Sequence, residues 1–204
     1  MNKKAMYKLS YGLYLLTCNK AGKDFGCVIN TCIQVANDPN LISISVINKN
    51  HTAEILKETD TFNISVLSES APFWLYQHFG MKSGRDVDKF QGYSNAARSG
   101  NGLLYLTVHA NAYLSAEILD RKDLGSHTLI IARVTDGDVL NNTPSATYAY
   151  YQDQVKSKPA APKPEDKKAW VCSVCGYIYE GEEVPEDFIC PLCKHGKEDF
   201  VLRE

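Results

Sequence analysis

The chain has 204 residues, 44% of them hydrophobic, and a formal net charge of −2 at pH 7. This length is enough for one well-packed core and a small second module. The near-neutral charge argues against a nucleic acid partner, because phosphate binding requires a basic face. Residues 11–16, the longest apolar run near the start, are too short to span a bilayer and precede no secretory cleavage pattern, so we expect a cytoplasmic protein with no membrane partner.

Alternating apolar and polar residues dominate the first three quarters of the chain and predict half-buried β-strands. In residues 41–47, Ile42, Ile44 and Val46 share one face and the two serines share the other. Seven strands are predicted in chain order, at residues 12–17, 26–29, 41–47, 61–67, 103–110, 113–119 and 128–134. This many strands in one domain indicates a mainly β fold, in the form of a barrel.

Two short helices and one long loop complete the first domain. Apolar spacing of three or four residues predicts helices at residues 52–59 and 72–79, with Thr52 and Ser70 as candidate N-caps. Residues 80–102 are rich in Gly and Ser and predict a long loop. A loop of this length in a compact domain is usually functional or mobile.

The junction at residues 48–52 joins a predicted strand to a predicted helix. A helix N-terminus offers free N–H groups and partial positive charge, and Lys49, Thr52 and Ser45 could complete a cradle for one phosphate. Such a cradle suits FMN. The alternative interpretation is an ordinary capped turn with an exposed lysine.

Residues 155–168 are rich in Pro, Ala and Lys and predict a linker between a domain at residues 1–154 and a second at residues 169–204. Pro-rich chain extends by about 3.1 Å per residue, so this segment could reach roughly 40 Å. The tail after it carries three basic and eight acidic residues. Its surface could steer a basic protein partner or could simply be solvated.

Two C-x-x-C pairs in the tail predict a metal site. Cys172 and Cys175 form the first pair, Cys190 and Cys193 the second, and 14 residues separate the pairs. Each pair can present two thiolates to one tetrahedral ion, either iron or zinc. Five aromatic residues in this small module favour a shielded redox centre, and therefore iron; they are Trp170, Tyr177, Tyr179, Phe188 and Phe200.

The tail resembles rubredoxin. The shared motifs are W-x-C-x-x-C-G-Y-x-Y at residues 170–179, P-E-D-F-x-C-P-x-C at residues 185–193, and K-E-D-F at residues 197–200. The segment between the two cysteine pairs is shorter than in single-domain rubredoxins. The resemblance implies one iron held by four cysteines, which carries one electron at a time.

Residues 5–153 resemble the flavin reductase and flavoredoxin proteins. The shared motifs include N-T-x-x-Q-V at residues 30–35, S-V-I-N-K at residues 45–49, F-G-x-x-S-G-R-D-V-D-K-F at residues 79–90 and G-S-H-T-L at residues 125–129. The resemblance implies a split β-barrel with short helices, a homodimer, and FMN at the subunit interface.

The same resemblance implies roles for individual residues. Three would line the flavin ring: Asn30, Thr31 and Gln34. Four would hold the ribityl chain and phosphate: Ser45, Asn48, Lys49 and Thr52. His127 would lie near the flavin or nicotinamide as the catalytic residue, although Ser126 replaces the family's aspartate beside it.

Five further side chains have less specific expected roles. Arg85 and Asp86 could shape the flavin pocket or pair with each other. Cys27 and Cys32 could lie near the flavin, but we expect buried, unreactive thiols there and at Cys18.

These features together predict an electron-transfer oxidoreductase. Electrons would pass from NAD(P)H through FMN to the rubredoxin iron, and then to a terminal acceptor such as a flavodiiron oxygen or nitric oxide reductase. No G-x-G-x-x-G element occurs, so the nicotinamide would dock on the flavin pocket itself. The alternatives are a flavin or ferric reductase with an accessory tail, and a non-catalytic carrier with a zinc-stabilised interaction module.

Overall fold

The computed structural model describes residues 2–156 and 169–202. The chain forms two compact units, Met1–Tyr151 and Gln152–Glu204. Most of the predicted linker, residues 157–168, lies outside the described residues. Within the described parts of the chain, no helix has the length and apolarity needed to cross a membrane.

The first unit is built mainly from β-strands. Its strands are β1 (Tyr14–Lys20), β2 (Lys23–Ile29), β3 (Cys32–Asn37), β4 (Asn40–Ile47), β5 (Thr61–Leu67), β6 (Ala96–Arg98), β7 (Leu104–Leu106), β8 (Ala110–Asp123) and β9 (His127–Val139). Seven of them form one antiparallel sheet in the order β2-β1-β5-β8-β9-β4-β3, and β6 pairs with β7. The predicted mainly β class is therefore confirmed.

The sheet curls around an apolar core. Ile42, Ile44 and Val46 of β4 are buried on one face, as their alternation predicts. Cys27 of β2 and Cys32 of β3, from the two ends of the sheet order, belong to the same buried cluster. A sheet whose two end strands share one core must be strongly curved, as in a barrel.

The helices are shorter than the sequence predicts. They are α1 (His51–Ile55), α2 (Phe73–Tyr76) and α3 (Tyr148–Tyr150), with wider π-type turns at Gln77–Met81 and Tyr151–Val155 and 3₁₀ turns at Lys3–Lys8 and Lys197–Asp199. Asn50, not Thr52, caps α1, because its side-chain oxygen accepts from the Thr52 N–H at 3.0 Å. Ser70 does not cap α2, since Pro72 occupies the N-cap and Ser70 hydrogen-bonds to Ser68.

Three strands also differ from the prediction. The predicted strand at residues 103–110 contains only β7, and the chain turns at His109, which has φ +69°. Strand β3 was not predicted because its outward Ile33 and Val35 are exposed, which obscures the alternation. Strand β6 lies inside the predicted loop at residues 80–102.

A buried lysine anchors that long loop to the barrel. Lys89 is 5% exposed, and its ammonium donates to the carbonyls of Gly26 at 3.0 Å and Phe79 at 2.8 Å. Burial lowers the pKa of Lys89, an effect that the nearby Cys27 partly opposes. The Lys89 carbonyl in turn accepts a hydrogen bond from His78 at 2.7 Å, so the loop is fastened at both its backbone and its side chain.

The described part of the second unit contains a small sheet and an aromatic cluster. Its strands are β10 (Ala169–Cys172), β11 (Ile178–Glu180) and β12 (Phe200–Leu202), in the order β11-β10-β12. The ring of Phe188 packs against Tyr179 at 4.7 Å and against Phe200 at 5.4 Å, measured between ring centroids. This apolar area is small, so the fold needs another source of stability.

Candidate functional site

Several of the predicted flavin residues lie where β4 ends, α1 begins and the β8–β9 turn approaches. The β4–β9 pairing places Ile47 opposite His127. The β3–β4 hairpin brings Thr31 beside Ser45, whose carbonyl accepts from the Thr31 hydroxyl at 2.7 Å. Residues from four separate stretches of sequence therefore meet at one region of the barrel surface.

The end of β4 carries positive charge. Lys49 is exposed, and the Arg85 guanidinium donates to the Lys49 carbonyl at 3.3 Å. Arg85 also forms an ion pair with Glu54, and Glu54 contacts the His51 ring at 2.9 Å. Hydrogen bonds from His51 and Arg85 lower the pKa of the Glu54 carboxyl. Of the two predicted roles for Arg85, pairing with Asp86 is replaced by pairing with Glu54, and a role beside the flavin stays a prediction.

Three predicted ligands differ in how open their positions are. Thr52 is 3% exposed and faces inward toward the Cys27 thiol. Gln34 is on the exposed side of β3, where its amide donates to Asn40 at 3.2 Å across the β3–β4 hairpin. Asn30, between β2 and β3, is half-buried.

The three thiols of the first unit are buried, as predicted. Burial raises the pKa of Cys32 to about 12, and burial together with Cys27 and Asp24 raises that of Cys18 further. Burial also raises the pKa of Cys27, against the opposing effect of Lys89. These thiols stay protonated near neutral pH and are poor nucleophiles.

His127 lies at the β8–β9 turn, and its ring contacts the Ser126 hydroxyl at 2.9 Å. Asp123 begins this turn and accepts a hydrogen bond from the Gly125 N–H at 2.8 Å. The amide of Asn48 also donates to Asp123, at 3.1 Å. These contacts lower the pKa of the Asp123 carboxyl, the Gly125 bond contributing most. The motif comparison overlooked Asp123; its position two residues before a glycine was the available sequence signal for a side-chain-stabilised turn.

The four cysteines of the second unit form a compact cluster. All four sulfur atoms lie within 4.8 Å of one another. The Sγ atoms of Cys172 and Cys193 are 3.6 Å apart, and those of Cys175 and Cys190 are 3.4 Å apart. These distances are far beyond the ~2.05 Å of a disulfide and close to the ~3.8 Å edge of a metal–sulfur tetrahedron with bonds of about 2.3 Å.

The two C-x-x-C turns repeat one backbone design. In the first, the Gly176 N–H donates to the Cys172 carbonyl at 2.8 Å and the Cys172 N–H donates to Tyr177 at 2.9 Å. In the second, the Lys194 N–H donates to Cys190 at 2.9 Å, and the Cys190 N–H donates to the carbonyl of residue 195 at 2.8 Å. Gly176 and Lys194 both adopt positive φ, +78° and +62°. This conformation turns each chain back so that both sulfur atoms face the same point.

Backbone N–H groups also point at the sulfur atoms. Burial raises the pKa of Cys175 to about 12, although the Tyr177 N–H opposes this. For Cys190, the N–H groups of Cys193 and Leu192 overcome the effect of burial, and the pKa falls below its usual value. Burial also raises the pKa of Cys193. Four thiols at one point, of which Cys190 most readily becomes a thiolate, need a bound cation to carry negative charge together.

Comparison with known families agrees with both units. The flavin reductase like domain model matches residues 6–159, and the rubrerythrin, rubredoxin-like domain model matches residues 170–201. Both resemblances predicted from the sequence are thereby confirmed.

Two curated proteins and one solved structure show how far the similarity extends. The high molecular weight rubredoxin of Moorella thermoacetica is 38% identical over 98% of this chain and 99% of its own length. The ferric-chelate reductase (NAD(P)H) of Archaeoglobus fulgidus is 32% identical over 78% of this chain and 93% of its own length. The NADH:FAD oxidoreductase SgcE6 of Streptomyces globisporus C-1027 has the same fold, with a TM-score of 0.66 at 19% identity over 79% of this chain and 92% of that one. The predicted split barrel is confirmed by this fold.

The turn geometry predicts an unequal response to substitution at the two left-handed positions. Gly176→Ala places a Cβ on a backbone with φ +78°, which should cost about 1–2 kcal/mol. In protein loaded with ferric iron, loss of the metal to an excess of chelator, followed by visible absorbance, should become faster. Lys194→Gly is the matched control, since it relieves the same strain in the second turn and should slow the loss or leave it unchanged. Equal acceleration in both variants would contradict the assigned role of the turns.

Proposed function

The chain belongs to the flavin reductase-like family, and from this premise we propose that it carries electrons from NAD(P)H through FMN to an iron centre in its rubredoxin-like module. The oxidoreductase class rests on the family itself. The single observation that supports the proposal most strongly is that four clustered thiols share a chain with the flavin reductase-like domain, in an arrangement matched over the whole chain by a high molecular weight rubredoxin.

FMN is the proposed flavin, held at the end of β4. The exposed Lys49 supplies positive charge for the phosphate, and Arg85, which is paired with Glu54, donates to the Lys49 carbonyl. Ser45 and Thr31 lie together beside it. The remaining proposed contacts are Asn30, Gln34, Thr52 and Asp86.

His127 is the proposed contact for the nicotinamide. It lies opposite Ile47, next to the same strand end, and its ring is half-buried. A bound flavin supplies hydride acceptance and release of single electrons, so the protein's own task is to bind and orient the donor and exclude water. No acidic or nucleophilic side chain is needed for this chemistry.

A homodimer through the flavin domain is part of the proposal. Ile33 and Val35 on the outer face of β3 are 62% and 48% exposed, and Ile47 at the end of β4 is 53% exposed. β3 is an end strand of the sheet. Apolar side chains grouped on an uncovered edge are typical of an association surface, and this one adjoins the proposed flavin site.

Iron is the proposed metal, with Cys172, Cys175, Cys190 and Cys193 as its ligands. A tetrathiolate iron takes one electron at a time, whereas NAD(P)H gives two. Having both groups on one chain suits conversion from paired to single electrons. We propose a flavodiiron-type reductase as terminal acceptor and the cytoplasm as location; acidic side chains on the module, including Glu180, Glu186 and Asp187, would attract a basic partner.

A second candidate function is reduction of ferric chelates or free flavin. The ferric-chelate reductase relative is matched over 93% of its length by about three quarters of this chain. In that case the first unit would suffice and the second would be accessory.

The proposal predicts the colour of the purified protein. FMN and ferric tetrathiolate both absorb visible light, so the loaded protein should show both sets of bands. Cys190→Ser should lose the iron bands and keep those of the flavin, because it removes one buried ligand while leaving the barrel intact. A zinc-loaded module or an empty barrel would be colourless and would contradict the proposal.

Removal of residues 169–204 separates the two candidate functions. Under the proposal, the truncated protein should still reduce added ferric chelate with NADH but should transfer no electrons to the terminal reductase. The measurement is NADH oxidation with each acceptor under anaerobic conditions. Unchanged reduction of the terminal acceptor would favour the accessory role for the tail.

A further inference from the structure

The β8–β9 turn is tied to the end of β4 by one side chain. The Asn48 amide donates to the Asp123 carboxylate at 3.1 Å and to the Gly125 carbonyl at 2.9 Å, and its oxygen accepts from the Thr128 hydroxyl at 2.6 Å. The Asn48 N–H donates to the Ser126 carbonyl at 2.9 Å. Asn48 therefore contacts the turn at four points that flank His127.

We propose that Asn48 and Asp123 are positioning residues, which fix the turn so that His127 faces the nicotinamide site. This inference rests on the proposed function of His127. Neither residue needs to contact the nicotinamide or the flavin ring for this role.

The hydrogen-bonding capacity of Asn48 supports this assignment. A phosphate accepts hydrogen bonds, so a residue that binds it must donate. An asparagine side chain has two N–H donors, and the structure directs them to Asp123 and Gly125. Its backbone N–H is donated to Ser126. Asn48 thus has no donor left for a phosphate, and only one side-chain lone pair stays open for a ribityl hydroxyl.

Asp123 completes the turn from the other side. One of its oxygens accepts from both Asn48 and the Gly125 N–H, at 3.1 Å and 2.8 Å. Gly125 adopts φ +85°, which suits glycine at a tight reversal. The next bond, from the Leu124 N–H to the His127 carbonyl at 2.8 Å, closes the hairpin. The backbone of the turn is therefore fixed immediately before His127.

The test compares Asn48→Ala, Asp123→Ala and the double variant in the full-length protein loaded with FMN and iron. Each single change should free the turn and raise the KM for NADH roughly tenfold with little change in kcat, because a group that is no longer held in place loses its orienting effect. The double variant should also raise the KM for NADH roughly tenfold, and not roughly a hundredfold, since both residues hold the same turn. Asp123→Asn keeps the accepting oxygen and should recover most of the lost affinity.

Two further measurements do not depend on turnover. Amide hydrogen exchange in a peptide covering residues 121–130 should accelerate in Asn48→Ala and Asp123→Ala. Binding of FMN to the apoprotein, followed by quenching of flavin fluorescence, should change less than threefold in both.

Asn111→Ala is the matched control. The amide of Asn111 donates a similar pair of hydrogen bonds, to Thr143 and Ser145, at the opposite end of β8. The Asn111→Ala variant should therefore lower the stability of the protein without changing the KM for NADH.

The outcomes separate this inference from the proposed function. His127→Gln should raise the KM for NADH; if it does not, the role of His127 fails and the inference fails with it. If His127→Gln raises the KM but Asp123→Ala does not, the proposed function survives and the positioning role is wrong. Weakened FMN binding confined to Asn48→Ala would also overturn the inference, since it would make Asn48 a direct flavin ligand.

Discussion

The convergence of four thiols on one point is the constraint on which the second unit depends. A module of about 35 residues cannot bury enough apolar surface to fold comfortably by itself. Its two C-x-x-C turns share one hydrogen-bond pattern, and each ends in a residue with positive φ, Gly176 or Lys194. Metal binding would use this geometry directly, so that the free energy of ligation becomes free energy of folding. The site that is proposed to carry electrons would then also hold its own domain together.

The first unit must bring together side chains that are far apart in the sequence. Its curved sheet provides a rigid frame, while the contacts that define the proposed flavin site come from segments far apart in sequence. The turn at Asp123 is held by Asn48, 75 residues earlier, and the loop at Arg85 is held by Glu54, 31 residues earlier. The Lys89 ammonium attaches the same loop to β2 by donating to the carbonyl of Gly26, and it also donates to the carbonyl of Phe79. The proposed surface for FMN and nicotinamide is thus built by polar side chains that tie long connections to the barrel.

Local patterns in the sequence were enough to predict the mainly β fold, the family and the clustering of four cysteines. Alternation along β4 and β5 and the C-x-x-C spacing are properties of short segments, so the sequence reveals them without knowledge of the fold. Other features depend on distant contacts. Strand β3 could not be predicted from alternation, because its apolar Ile33 and Val35 are exposed among the described residues. The burial of the Thr52 side chain toward Cys27 is one such feature, and its role beside the phosphate stays a prediction. The hydrogen bonds of Asn48 are made with residues 123–128, and no local sequence pattern predicts them.

The central claim is that paired electrons from a nicotinamide become single electrons on one polypeptide. Anaerobic stopped-flow mixing of the loaded protein with NADH tests it most directly, with flavin and ferric iron followed at separate wavelengths. Flavin absorbance should disappear first and ferric absorbance second, with a second phase whose rate does not change on dilution of the protein. Reduction of the iron at the same rate in protein that lacks FMN would contradict the account.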